Sequence, residues 1–156
     1  MFKPYRALSI LAMLALIALV GCDTLGGPAE PTPVPFNRFT ADDVVNAFQA
    51  AGLNFTVDPP DRTGGFVARG APNSHSDRVT FVIAQVAPNG GQILVFDTPE
   101  ALAEWERYIA QLRTNSATRR DVVYVYTNAN IMLQVNANLT GVQARAYETA
   151  LMGLGS

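Results

Sequence analysis

Two reactive residue types occur once each in this 156-residue chain, as Cys22 and His75. His75 lies in the run Asn73-Ser74-His75-Ser76-Asp77, which contains every residue type of a serine–histidine–aspartate hydrolase. Adjacency argues against that chemistry. Triad members converge from separate segments, and neighbouring loop residues seldom align a nucleophile, a base and an orienting carboxylate. A polar loop in which Ser76 and Asp77 serve turns is the expected reading, with hydrolysis through His75 as the alternative. Asp58 and Asp61, beside Pro59 and Pro60, bring two more carboxylates to the same stretch. Together with His75 and Asp77 they mark a candidate binding loop. Calcium chelation is not expected, because no DxDxDG pattern is present.

Other constellations have structural readings. Asp42 and Asp43 fall where a helix begins, as do Asp97 and Glu100, and negative charge there complements the helix dipole. Gly64-Gly65 and Gly90-Gly91 lack the spacing of a phosphate or dinucleotide loop. A single cysteine rules out an intramolecular disulfide and a cysteine-based metal site. No cofactor is expected. Lys3 and Arg6 precede the apolar N-terminal run, which leaves 13 acidic and nine basic residues beyond it, a net of −4. That balance excludes a basic nucleic-acid-binding face. Trp105, Tyr108, Tyr124 and Tyr126 are read as core or half-buried strand residues rather than a binding groove.

Cys22 has a more specific setting. Behind the positive Lys3 and Arg6, residues Ala7 to Val20 form a run of 14 residues in which Ser9 is the only polar side chain. The run is short of the roughly 20 residues that span a bilayer, and it has the plan of a secretory signal peptide. It ends in Leu19-Val20-Gly21-Cys22, which resembles the lipobox of bacterial lipoproteins. The resemblance covers residues 1–22. It implies diacylglycerylation of the Cys22 thiol, cleavage by signal peptidase II between Gly21 and Cys22, and acylation of the new amino group. Thiolate nucleophilicity accounts for the cysteine, and the small Gly21 for peptidase access. Two or three acyl chains suffice for stable anchoring. The expected location is the extracytoplasmic face of the cell membrane.

The expected organisation is a signal peptide at 1–21, a lipidated tether at 22–36 and one domain at 37–156. Pro28, Pro31, Pro33 and Pro35 favour an extended, semi-rigid spacer in the tether.

Within the domain, Thr40 and Asp43 form a capping box for a helix over Ala41–Ala51, with Phe39 and Val44 as a hydrophobic staple. Gly52 stops that helix and folds Leu53 back on Phe48. Leu53 to Val57 alternates as a strand. Asp58 to Asp77 reads as a long loop, Arg78 to Val86 as a central strand, and Ile93 to Phe96 as its return across a turn at Pro88–Gly91. Thr98 and Pro99 open a second helix, whose buried stripe is Leu102, Trp105, Ile109 and Leu112. Strands at Val122–Tyr126 and Ile131–Val135 form a second hairpin. A last helix begins near Gly141, capped by Thr140 and Gln143, with Val142, Ala146, Ala150 and Leu151 inward. This order gives an α+β fold: an antiparallel sheet of about four to five strands with helices packed on one face.

Lipobox, proline-rich spacer and compact α+β domain together resemble small bacterial lipoproteins without an assigned activity. The resemblance therefore implies no catalytic residues. The reading is a membrane-anchored, non-enzymatic binding module, contacting the membrane through its lipid and an envelope protein or small molecule through the domain. The alternatives are an envelope hydrolase using His75 and a structural subunit of an envelope complex.

Overall fold

A computed structural model describes residues 35–59 and 70–155. The lipobox, most of the tether and the middle of the 58–77 loop lie outside them. Helix α1 is Ala41–Ala50, α2 is Pro99–Thr114 and α3 is Gly141–Met152. The strands are β1 Phe55–Val57, β2 Asp77–Ile83, β3 Gly90–Val95, β4 Tyr124–Asn128 and β5 Ile131–Val135. They form one antiparallel sheet in the order β1-β2-β3-β5-β4. The fold is α+β, as the alternation of apolar stripes and hairpins requires.

The helix ends are written in the sequence. The Thr40 Oγ1 accepts from the Asp43 N–H while the Asp43 carboxylate accepts from the Thr40 N–H at 2.8 Å, closing the capping box. At the other end Leu53 N–H donates to Phe48 O and Gly52 N–H to Gln49 O, each at 3.0 Å, with Gly52 at φ +68°. That pairing is the Schellman motif, in which glycine takes the left-handed turn. Thr140 and Gln143 repeat the capping box on α3. Thr98 caps α2 by accepting from Ala101 N–H at 3.3 Å.

Side chains alternate across the strands, so Ile93 and Leu133 face one side while Leu94 and Met132 face the other. The first side meets α1 and α3. There Val44, Phe48, Phe81, Ile83, Tyr147 and Leu151 make the larger core, with Phe48 edge-on to Phe55, Phe81 and Tyr147. The second side is partly covered by α2, whose Trp105 and Ile109 pack with Leu94, Phe96, Val122 and Met132. The expected stripe of α2 is therefore present, with Leu102 and Leu112 half-buried at its margins.

Three local expectations change. On α3 the inward face is Ala144, Tyr147 and Leu151, while Val142 is 81% exposed and Ala146 is exposed. Tyr147 sets the phase of the helix: its ring stacks on Phe81 at 6.1 Å and meets Phe48 edge-on at 5.1 Å. Burying a tyrosine removes more apolar area from water than burying a valine.

The second hairpin is shifted, with β4 at Tyr124–Asn128 rather than Val122–Tyr126. A two-residue turn joins Asn128 to its partner Ile131, and Val122 is buried outside the strand, against the α2 cluster.

The central strand ends at Ile83, and Ala84–Val86 is a 3-10 turn. Gly90 and Gly91 then belong to β3 rather than to the turn. A Cβ on Gly90 would sit 1.6 Å from the Phe81 carbonyl oxygen, so only glycine permits this approach of β3 to β2.

Candidate functional site

The second face of the sheet is where polar groups gather. β2, β3 and β5 bring Arg78, Gln92 and Gln134 into a row across three neighbouring strands, since Arg78 pairs with Leu94, two residues beyond Gln92, and Gln92 pairs with Gln134. Arg78 Nε donates to Gln92 Oε1 at 3.0 Å, Gln92 Nε2 to Gln134 Oε1 at 2.8 Å, and Gln134 Nε2 to Asp121 O at 2.8 Å. Gln92 is buried at 5% exposure. Each carboxamide satisfies the next, which makes the buried Gln92 tolerable among the apolar residues of β3.

Beside this row runs an aromatic line. His75 meets Trp105 edge-on at 5.8 Å, and Trp105 meets Tyr108 edge-on at 5.7 Å. Among the described residues, His75 Nδ1, Trp105 Nε1 and the Tyr108 hydroxyl are buried without a hydrogen-bond partner. Burial pushes the His75 imidazole pKa down, Arg78 pushes it further down, and Asp77 partly opposes them. His75 is thus held toward its neutral form. Burial likewise raises the Tyr108 pKa. Between the two rows lies a dimple of about 10 Å³, lined by Ala71, Gln92, Trp105, Tyr108, Ile109, Leu112 and Gln134. That is the space of a single water molecule, far below the several hundred Å³ of a small-molecule pocket.

The residues of the expected binding loop do not converge. Asp58 closes β1, its N–H donating to Thr80 O at 2.9 Å. Asp61 lies outside the described residues. Asp77 opens β2, exposed, with Oδ1 accepting from the Arg78 N–H at 2.7 Å. His75 is half-buried against Trp105. The hydroxyls flanking it are committed to backbone: Ser74 Oγ donates to Ala101 O at 3.3 Å, and Ser76 Oγ to Val95 O at 3.2 Å. Neither is placed as a nucleophile activated by His75, which would need a hydroxyl donating to the imidazole. No group of three or more potential metal-ligating side chains forms among the described residues. Leu19, Val20, Gly21 and Cys22 lie outside the described residues.

Gln92 and Gln134 were legible as exceptions. Each interrupts a strand whose other residues are apolar or glycine, and a lone carboxamide at such a position signals a buried polar contact. The pairing between strands, which the sequence does not print, turns two exceptions into one row. No protein-family model, curated protein or solved structure matches the chain.

Proposed function

We propose that this chain is a lipid-anchored protein of the extracytoplasmic membrane face, and that its α+β domain is a non-enzymatic interaction module. One observation carries the reading: the sole cysteine closes Leu19-Val20-Gly21-Cys22, directly after a positive n-region and an apolar run too short to span a bilayer. Behind it, four prolines within 14 residues separate the lipid site from the folded domain. No described helix is long and apolar enough to cross a membrane. The commitment of Ser74 and Ser76 to backbone carbonyls supports binding over His75-based hydrolysis.

The test is mass spectrometry of the chain purified from membranes of a bacterial host. The expected mature protein begins at Cys22 and carries diacylglycerol on the thiol. Cys22→Ala should accumulate uncleaved and without lipid. A mature form beginning elsewhere, or a Cys22→Ala form processed and retained as the parent is, would sink the reading.

A further inference from the structure

The last strand in the sheet, β4, has a partner on one side only. A hairpin closed by two residues bonds its closing pair, here Asn128 and Ile131, in both directions. By alternation Tyr126 and Tyr124 also bond inward to β5, and Val125 and Thr127 turn their N–H and C=O groups outward. Among the described residues no backbone group bonds to that outer edge. Proteins usually protect such an edge with charge, proline or a bulge. Tyr124-Val125-Tyr126-Thr127-Asn128 contains none of these residue types.

Helix α3 lies along the same edge. A Cβ on Gly141 would stand 4.0 Å from the Tyr124 hydroxyl, and Asn128 Nδ2 donates to Leu151 O at 2.8 Å. Gly141, Arg145, Glu148 and Met152 follow one another at spacings of four, three and four, so they share one flank of the helix. The flank is on the β4 side. Burial and then Glu148 raise the Tyr126 pKa, and Arg145 opposes them. Among the described residues, three of the four large apolar side chains that stand exposed, Val123, Val142 and Met152, belong to this strand approach and this helix.

We propose that β4 and α3 form a two-fold interface with a second copy of this chain. Antiparallel pairing centred on Tyr126 sets Val125 opposite Thr127 of the second copy and Tyr124 opposite its Asn128. Both sheets then continue as one, with their α1–α3 layers on the same side, because the register preserves the side-chain face. The same axis runs the two α3 helices antiparallel. It places Arg145 opposite Glu148 of the second copy and the exposed Met152 opposite its Gly141. Each residue of the flank meets its complement, large against small and positive against negative, as a closed isologous interface demands. No like charges meet across the strand edge.

Sedimentation equilibrium of the full chain, extracted from membranes in detergent and held at micromolar concentration, tests this. The expected protein mass is twice that of one chain. Thr127→Lys, which puts a charge on the edge, should return the single-chain mass. Arg145→Glu and Glu148→Arg should each weaken association about tenfold, since both symmetry-related pairs become repulsive. The double exchange Arg145→Glu with Glu148→Arg should restore it. That rescue separates loss of contact from loss of fold, and far-ultraviolet circular dichroism of each variant should match the parent. A single-chain mass for the parent overturns the proposal. So does a dimer that these variants leave intact, or a failure of the double exchange to recover what each reversal loses.

Discussion

Asn130 holds Phe39 by both of its backbone polar groups, the N–H and the C=O. Its Oδ1 accepts from the Phe39 N–H at 2.9 Å and from the Arg38 N–H at 3.0 Å, and its Nδ2 donates to Phe39 O at 2.7 Å. The residues are 91 apart in sequence, and Asn130 is 1% exposed. Three backbone groups just ahead of α1 thereby find partners in the β4–β5 turn. This fastens the segment ahead of α1 to the β4–β5 hairpin. Replacement by alanine removes the partner of all three in a partly buried site. The expected loss is about 3 kcal/mol, from net hydrogen-bond values near 1 kcal/mol each with further cost for groups left buried. Denaturant titration of Asn130→Ala at neutral pH measures it. A shift under about 1 kcal/mol would mean that the segment is held by other contacts.

Gly90 gives a second prediction. A methyl group there would collide with the Phe81 carbonyl, and the neighbouring Phe81 C and Val82 Cα lie within 2.7 Å of the same point. All three obstacles are backbone, so no side-chain rotation relieves the clash. Gly90→Ala must displace β3 from β2 and weaken the central pairing of the sheet. We expect a loss of at least about 3 kcal/mol, at the severe end for one substitution. Gly52→Ala is the useful contrast. Nothing crowds that position, and only the positive φ opposes the change. Its cost should be nearer 1 kcal/mol.

A third prediction concerns the row across the sheet. Gln92→Leu keeps the volume but removes the acceptor for Arg78 Nε and the donor for Gln134 Oε1. Two half-buried groups each lose one hydrogen bond while one apolar side chain is gained. The balance should cost about 2 kcal/mol. Gln92→Leu with Gln134→Leu should recover part of that, because the second change removes a stranded carboxamide. A double-mutant cycle by chemical denaturation gives the coupling. A cycle that closes without coupling would mean that the two carboxamides act independently.

Much of the fold was readable because its determinants are local. Thr40, Asp43, Gly52, Thr98, Pro99, Thr140 and Gln143 fix the helix ends through contacts only a few residues long, and each behaves as its type suggests. The errors fall where distant packing decides. Val142 satisfies helical spacing as well as Tyr147 does. The choice between them depends on Phe81, 66 positions away and invisible to a local pattern. The start of β4 moved for the same reason, since the place of Val122 is in the cluster under α2.

The chemistry was less legible. His75 stood out by rarity, but the ring it packs on is Trp105, 30 positions away, which approaches only through the fold. The hydrogen bonds that occupy Ser74 and Ser76 run to Ala101 and Val95, carbonyls that no local reading would pair with them. The edge of β4 and the flank of α3 show the converse. The strand is plain in the sequence as an uncharged string and the flank as one with a positive and a negative residue, yet they become one edge only when the topology leaves β4 last in the sheet.

His75 supplies a final prediction, in pH. Its pKa is lowered in the folded state by burial and by Arg78, against a weaker opposing effect of Asp77. In the unfolded chain it titrates near the ordinary histidine value of about 6.5. Between the two values the unfolded state holds more protons, so stability rises with pH there. The favourable margin is full above the unfolded pKa. It is lost as pH falls from there through the lowered folded value, and below that the curve flattens with respect to this group. Asp43, whose pKa is lowered by its bonds to Thr40, adds a separate decline at more acidic pH. Thermal denaturation followed through Trp105, the only tryptophan, should show both phases. His75→Gln should remove the first and leave the second. Arg78→Gln should shrink the first without abolishing it, because burial is the larger cause. A first phase that survives in His75→Gln would assign it to another group and remove the basis for reading His75 as a neutral residue packed on Trp105.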